Sequence, residues 1–365
     1  MGDVLDQWVC VVTQHSMRSV YAGPDAPFRP ECIKENVARV CGHVERAAKD
    51  HGAKLVVFPE FCVQGYAIGR SIADWERAGI ELPGPETAEM AKVAKATGTY
   101  IAGAVFERIA DFPGRYFMSG FVVAPDGATP EDQVKLVYRK LYALTHKTRP
   151  GDMYDQFVAK FGRAALFPVI KTPLGRIGCA VAADLAWPEV TRTLAMNGAD
   201  FVFNPIGAVV NPGYASPSDD ADQPVGNANS TVRRIRAWEN TIYLATANIG
   251  PFYDRDAAGH EIPAQAVGTA KRIPAEIVNF RGQVIARADT DAETQVPAVI
   301  DMKALAEHRK SPQFNFLAQL QPQLHAPDYA AAQLCPLNGL ATPHKDADEA
   351  VNFIAGVWDR ISATR

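Results

Sequence analysis

The sequence predicts an α/β fold, and three observations carry that expectation. Short apolar runs at 8–13, 55–58, 100–106, 177–181, 201–203 and 242–247 read as buried strands. Longer stretches between several of them place apolar residues three and four apart, the period of a helix. Gly- and Pro-bearing breaks separate the two kinds of segment, and a few strand pairs are joined closely enough to form hairpins.

In chain order, residues 8–13 form the first strand, followed by a loop rich in Gly and Pro around Gly23 and Pro27. A helix is expected over 30–51, with Ile33, Val37, Val40, Val44 and Ala47 on its buried stripe, and Gly52 stops it. Residues 55–58 enter the sheet. A second helix over 86–96 turns Met90, Val93 and Ala94 inward and ends at Gly98, before the strand 100–106. Residues 117–124 and 134–138 flank Pro125-Asp126-Gly127 and read as a hairpin, as do 171–174 and 177–181. Val232, Ile235 and Trp238 mark a helix after a long Pro- and Asp-rich loop over 207–229. A loop of that length inside a compact domain is more often functional than accidental. Strands at 242–247, 276–279, 284–286 and 298–300 finish the sheets, with Arg281-Gly282 as the last tight turn. From Met302 the composition shifts toward Ala, Gln and Pro. A helix over 349–361 then aligns Val351, Ile354 and Trp358. The expected division is a domain over 1–301 and an extension over 302–365 that packs on a second subunit, or caps its own body.

Composition narrows the functional classes. The chain has 365 residues, 47% hydrophobic and 21% charged, an ordinary balance for a globular enzyme. A net charge of −4 without runs of like charge argues against a nucleic-acid partner. No apolar run approaches the roughly 18 residues of a membrane-spanning helix. The acidic start, with Asp3 and Asp6, lacks the layout of a signal peptide, and Asp3 and Gln7 fit a myristoylation site poorly. Cys10, Cys32, Cys41, Cys62, Cys179 and Cys335 show no C-x-x-C pair and no ligand spacing. They are expected to be buried reduced thiols of a cytoplasmic protein, with no metal and no cofactor.

The chemistry concentrates between Gly175 and Pro205. A small-apolar strand (177–181) is followed by Ala182, Ala183 and Asp184, and Pro188 opens a helix with Val190, Leu194 and Ala195 on one face. A strand, a sharp turn and a helix expose one side chain at a sheet end, the elbow that enzymes use to hold a nucleophile. Here that residue is alanine.

This stretch resembles the nitrilase superfamily of carbon–nitrogen hydrolases, in which the strand ends in the catalytic cysteine, followed after one residue by an acidic residue and then by Pro-Glu. Asp184, Pro188 and Glu189 match, and Ala182 stands where the nucleophile belongs. Leu55-Val56-Val57-Phe58-Pro59-Glu60, with Gly65-Tyr66 after it, looks like the family's glutamate motif, and Tyr138-Arg139-Lys140-Leu141 like its lysine motif. Arg236 to Asn240 and Ala247 to Gly250 match the helix and strand that usually follow. The resemblance covers roughly 9–301. It implies a four-layer α-β-β-α sandwich, usually paired into a homodimer or larger homo-oligomer, and no cofactor.

It also implies roles. Amide hydrolysis through an acyl-enzyme needs a nucleophile, a base and a stabilised oxyanion. Glu60 would be the base, Lys140 the oxyanion cation, and the Ala183 N–H a second oxyanion donor. Taken alone, Glu60 reads as a surface glutamate, and Lys140 as one of several solvated cations beside Lys135, Arg139 and Lys147. Cys179, three residues before Ala182, reads as a core thiol. Many family members carry a second glutamate after the lysine; this chain has none there, and His146, Asp152 or Asp155 are the substitutes on offer. Tyr66 and Trp187 are candidate pocket aromatics, and Glu189 a carboxylate at a helix N-terminus.

Two explanations suit Ala182: a natural pseudoenzyme, or a cysteine replaced so that substrate binds without turnover. With Glu60 and Lys140 both present, the second is the expectation. Asp184-Leu185 and Trp187-Pro188-Glu189 resemble the amide-cleaving branch. The expected activity is hydrolysis of a small linear amide or carbamoyl compound. Nitrile hydrolysis and non-catalytic binding are the alternatives.

Overall fold

A computed structural model describes residues 4–143, 147–208, 230–264 and 273–363. Most of the long loop expected over 207–229, and His146, lie outside the described residues.

The strands are β1 (Gln7–His15), β2 (Ala53–Val57), β3 (Tyr100–Glu107), β4 (Phe117–Val123), β5 (Val134–Arg139), β6 (Val169–Thr172), β7 (Gly175–Cys179), β8 (Phe201–Pro205), β9 (Tyr243–Ile249), β10 (Tyr253–Arg255), β11 (Glu261–Pro263), β12 (Glu276–Val278), β13 (Val284–Arg287) and β14 (Thr294–Asp301). They fall into two halves. In one, β1, β2 and β3 run parallel, β4 and β5 continue antiparallel, and β14 pairs with the other edge of β1. In the other, β7, β8 and β9 are parallel, with β6 antiparallel on one side and β12 and β13 on the other. A short pairing of Gln14 with Asn248 and His15 with Ile249 joins the halves.

Three apolar layers follow from this folding. Between the halves pack Trp8, Cys10, Leu55 and Tyr138 from one side and Ile177, Cys179, Phe201 and Tyr243 from the other. The helices Glu31–His51 and Pro85–Thr97 cover the outside of the first half through Val37, Val40, Val44, Met90 and Ala94. The helices Pro188–Met196 and Ser230–Asn240 cover the second through Val190, Leu194 and Ala237. This is the expected α-β-β-α sandwich. Strands covered on both faces are buried at every position, as in β3 and β4, which is why they read as continuous apolar runs. The halves approach closely at Gly120 in β4, where an added Cβ would lie 2.3 Å from the Cys179 sulfur. Cys179 is thus the core thiol that its sequence position suggested.

Some expectations are corrected. The connection between β4 and β5 is no bare turn: it contains a short helix, Pro130–Gln133, started by the Thr129 side chain. Of the three residues that marked the helix after the long loop only Val232 is buried; Ile235 and Trp238 are exposed, and Trp238 meets the ring of Phe316 edge-on. Cys41 is half-buried and Cys335 exposed, so the cysteines are not all core residues.

The packed body continues past residue 301. Met302 and Leu305 of the helix Met302–Arg309 are buried, and the Arg309 guanidinium donates to the Thr241 carbonyl. The remainder of the tail returns to its own chain. The Asn338 N–H donates to the Gly151 carbonyl at 2.8 Å, and the buried Arg115 donates through Nη2 to the Leu340 and Ala341 carbonyls, each at 2.7 Å. Val351, Ile354 and Trp358 nonetheless stay exposed on the last helix, Ala347–Ala363. Truncation after Pro336 is therefore expected to lower the thermal midpoint, because a buried guanidinium loses two acceptors. If the tail also joins subunits, light scattering will show a smaller particle. An unchanged mass would end the intersubunit reading, and an unchanged midpoint the intrachain one.

Candidate active site

The site forms where the ends of strands from both halves meet. Glu60 follows β2 through Phe58 and Pro59. Its loop is held by neighbouring backbone: the Phe58 N–H donates to the Ala102 carbonyl at 2.7 Å, and the Cys62 N–H to that of Ala104 at 3.0 Å. Phe61 takes a left-handed conformation, φ 45°, that turns the chain sharply after the carboxylate. Lys140 follows β5, and its Nζ donates to Glu60 Oε1 at 2.9 Å, with both side chains only 7% exposed. Glu60 Oε2 accepts the Gly207 N–H from beyond β8 at 3.1 Å. Gly207 admits no side chain, because an added Cβ would lie 2.1 Å from the Phe61 ring. The two residues singled out as base and oxyanion cation are thus brought together, with a backbone donor from the opposite half.

The elbow is within electrostatic reach of them, since Asp184 in its turn feels the Lys140 charge. β7 ends at Cys179, and a short 3-10 turn, Ala182–Ala186, leads into the helix opened by Pro188. The turn places Ala182 at φ 44°, a left-handed conformation that L-residues avoid. Ala180 fixes the approach: its N–H donates to the Phe203 carbonyl, and its own carbonyl accepts Asn204 Nδ2 at 2.6 Å. Beyond the turn, Arg236 Nε donates to the Leu185 carbonyl at 3.0 Å. Ala182→Gly is expected to raise the thermal midpoint. Relief of about 1–2 kcal/mol of left-handed strain outweighs the added unfolded-state freedom of about 0.5–1 kcal/mol. A lower midpoint in scanning calorimetry would show that the alanine sits there unstrained.

Asp184 ties these parts together, a role that its place in the motif did not reveal. Its buried carboxylate accepts the Tyr138 hydroxyl at 2.7 Å, the Tyr142 N–H at 2.9 Å and the Val181 N–H at 3.1 Å. Elbow and lysine strand are thereby joined through one side chain. Burial raises its pKa to about 6, held from going higher by the Lys140 charge and these donors.

Two neighbouring cations are not freely solvated. Arg139 is buried and forms two bonds with Glu107, from Nε at 2.8 Å and from Nη2 at 2.5 Å. Alternation along β5 points it away from Tyr138. Lys147 is half-buried at the cleft, with Nζ 5.9 Å from the centre of the Tyr66 ring. Desolvation, and then the Lys140 charge, lower its pKa to about 8, while Glu60 draws it upward.

The other candidates divide. Tyr66 is half-buried, stacked on Phe61 and Trp75, and close enough to feel the Glu60 charge. Trp187 stacks on Tyr142 at 4.3 Å. Ala183 is buried directly after the elbow. Asp152 is buried but bound to Arg149. Asp155 is exposed on the first turn of the helix Tyr154–Phe161, away from the pair, because that turn faces solvent. Glu189 sits in the first turn of its helix, as expected, and accepts the Tyr329 hydroxyl at 2.8 Å. His146 lies outside the described residues.

One group has the makings of a metal site: ligand atoms of His15, His43 and Glu293 lie within 4.8 Å of one another. The His43 and Glu293 atoms are already engaged, whereas neither ring nitrogen of the buried His15 makes a hydrogen bond among the described residues. Glu293 Oε1 accepts from His43 Nε2 and Arg39 Nε, each at 2.9 Å, and from the Ser16 N–H at 3.1 Å. Gln295 Nε2 donates to His43 Nδ1, which leaves the ring hydrogen on Nε2. Arg39, His43 and Glu293 form an ion-paired strut between the helix Glu31–His51 and the start of β14.

The sequence profile of carbon-nitrogen hydrolases matches residues 19–310. This chain belongs to the carbon–nitrogen hydrolase family. Among its relatives, the omega-amidase NIT2 of Bos taurus is 28% identical over 76% of this chain and 86% of that protein. A probable nitrilase of Schizosaccharomyces pombe, C965.09, is 24% identical over 80% of this chain and 92% of its own. Solved structures with the same fold include a carbon-nitrogen hydrolase from Helicobacter pylori G27 (TM-score 0.63, 20% identity, covering 90% of this chain and 99% of that one). A cysteine-to-alanine mutant of an amidase from Nesterenkonia AN1 also aligns (TM-score 0.55, 16% identity, 88% and 96% covered). Among the described residues of this carbon–nitrogen hydrolase, no helix is long and apolar enough to cross a membrane.

Proposed function

We propose that the site is that of an amidase lacking its nucleophile: it binds a small linear amide or carbamoyl compound and, with Ala182 in place, does not turn it over. The observation that carries this reading is the elbow. Ala182 has the left-handed conformation of an elbow residue, in a turn whose Asp184 feels the charge of Lys140 from the buried Glu60–Lys140 pair, yet its methyl group has no electron pair to give.

With a thiol at position 182, the reaction is complete. Glu60 takes the thiol proton, and the thiolate attacks the carbonyl carbon to form a tetrahedral oxyanion. Lys140 and the Ala183 N–H stabilise that charge. Collapse breaks the C–N bond, and Glu60 returns the proton to the departing amine. Water, deprotonated by Glu60, then attacks the thioester and releases the acid and the thiol.

The amide reading over the nitrile one is supported by the Asp184-Leu185 and Trp187-Pro188-Glu189 pattern, and by relatives whose names are omega-amidase. The name of the fission-yeast relative favours the nitrile alternative. Ammonia release by the Ala182→Cys variant from matched amides and nitriles discriminates between them. Turnover of the nitriles alone would overturn the amide reading, and turnover of neither would favour non-catalytic binding.

A further inference from the structure

Lys147, which feels the charges of Lys140 and Glu60, also borders a second space. There a cavity of about 200 Å³ is lined by Tyr142, Lys147 and Trp187 on the body side, and by Leu340, Val351 and Ile354 from the carboxy-terminal tail. The body wall is flat: the Tyr142 and Trp187 rings lie only 5° from parallel. That wall is tied to the elbow, since the Tyr142 N–H is bound by Asp184 and Trp187 ends the turn that begins at Ala182. The tail wall is mostly aliphatic, with the buried His344 among its residues, and it is anchored. The Leu340 N–H donates to the Asp152 carbonyl at 3.2 Å, and the Asp155 N–H to Asn338 Oδ1 at 2.9 Å. Arg149, which also borders the cavity, is neutralised by Asp152 through Nε at 2.9 Å. Lys147 is the lining cation that feels the charges of Lys140 and Glu60.

We infer that this cavity holds the far end of the ligand, and that this end is a flat apolar group, an aryl or arylalkyl substituent clasped between the Tyr142–Trp187 stack and the chain's own last helix. The volume suffices, since an apolar cavity of about 150 Å³ accepts benzene. Burying one ring there is worth about tenfold or more in affinity. The identity of the head group rests on the amide reading above; the ring site rests on the cavity alone. The tail wall of the cavity lies beyond the region matched by the family profile.

Isothermal calorimetry on the full chain as it stands, with Ala182, tests the inference. The probes are propionamide, 3-phenylpropionamide, 3-phenylpropan-1-ol and succinamate. The variants are Ile354→Asp, which puts a charge on an exposed helix without disturbing the body, and Trp187→Ala. Phenylpropionamide is expected to bind at least about tenfold tighter than propionamide. Both variants should abolish most of that advantage, with Ile354→Asp leaving propionamide unchanged. Equal affinities for the two amides, tighter binding of succinamate than of the aryl amide, or an Ile354→Asp loss shared by propionamide would overturn the ring site. If the aryl alcohol binds in an Ile354-dependent way and no amide gains over it, the ring site stands and the amide head group falls. A thermal midpoint kept within the scatter of the unchanged chain shows that each variant is folded.

Discussion

Ala182→Cys is expected to convert a chain with negligible turnover into one that releases ammonia from small amides. The rise should be on the order of 10⁴-fold or more, since deleting the nucleophile from an otherwise intact hydrolase site removes about 10⁶ in kcat. The expectation rests on how little else must change. The turn is held by Asp184, Asn204 and Arg236, none of which touches the 182 side chain through the bonds described, so the sulfur arrives in a frame already set. Base and oxyanion cation are 2.9 Å apart and buried. Rapid quenching followed by intact-mass measurement should show the acyl adduct, and an ammonia assay the turnover. A cysteine variant with neither adduct nor ammonia across a broad amide panel would mean that the cleft binds without catalysing.

In that cysteine background, Glu60→Gln and Lys140→Ala should each lower kcat by about 10² or more, the first by removing the base and the second by leaving the oxyanion short of charge. Their effects should not add, because each group holds the other in place. The double mutant is therefore expected to be little worse than the poorer single mutant. Each single change leaves a buried group without its ion partner, which is destabilising by about 3–5 kcal/mol in comparable pairs. Thermal midpoints must be read beside the kinetics. A folded single mutant with near-full kcat would remove that residue from the mechanism.

Layering and strand positions were legible in the sequence because buried parallel strands impose continuous apolar runs, and the helices impose stripes such as Val37-Val40-Val44. Glu60, Lys140 and the elbow were legible because each sits at a strand end inside a motif. What stayed hidden depends on contacts between halves distant in sequence. Nothing local to Asp184 says that its carboxylate gathers donors from residues 138 and 142. Lys147 reads as one more cation in a basic stretch, and only its placement against Tyr66 and the Glu60–Lys140 pair sets it apart. Arg139 was misjudged for the same reason: its partner Glu107 ends β3, two strands away across the sheet. The tail's path is likewise set by backbone hydrogen bonds to residues 151 and 152, which leave no pattern in side-chain sequence.

The division of the site between the two halves has a consequence for how the protein comes apart. Glu60 and Lys140 belong to one half, and Ala182, Ala183 and Gly207 to the other, so no half holds a working cleft alone. Ligand binding is then an assay of docking between sheets and not of the strands themselves. A compact denatured state that keeps its far-ultraviolet dichroism but loosens side-chain packing must lose ligand affinity in step with its near-ultraviolet signal. By the same linkage, a tightly bound amide clamps the two layers together and delays their separation, by an amount set only by its concentration relative to its dissociation constant.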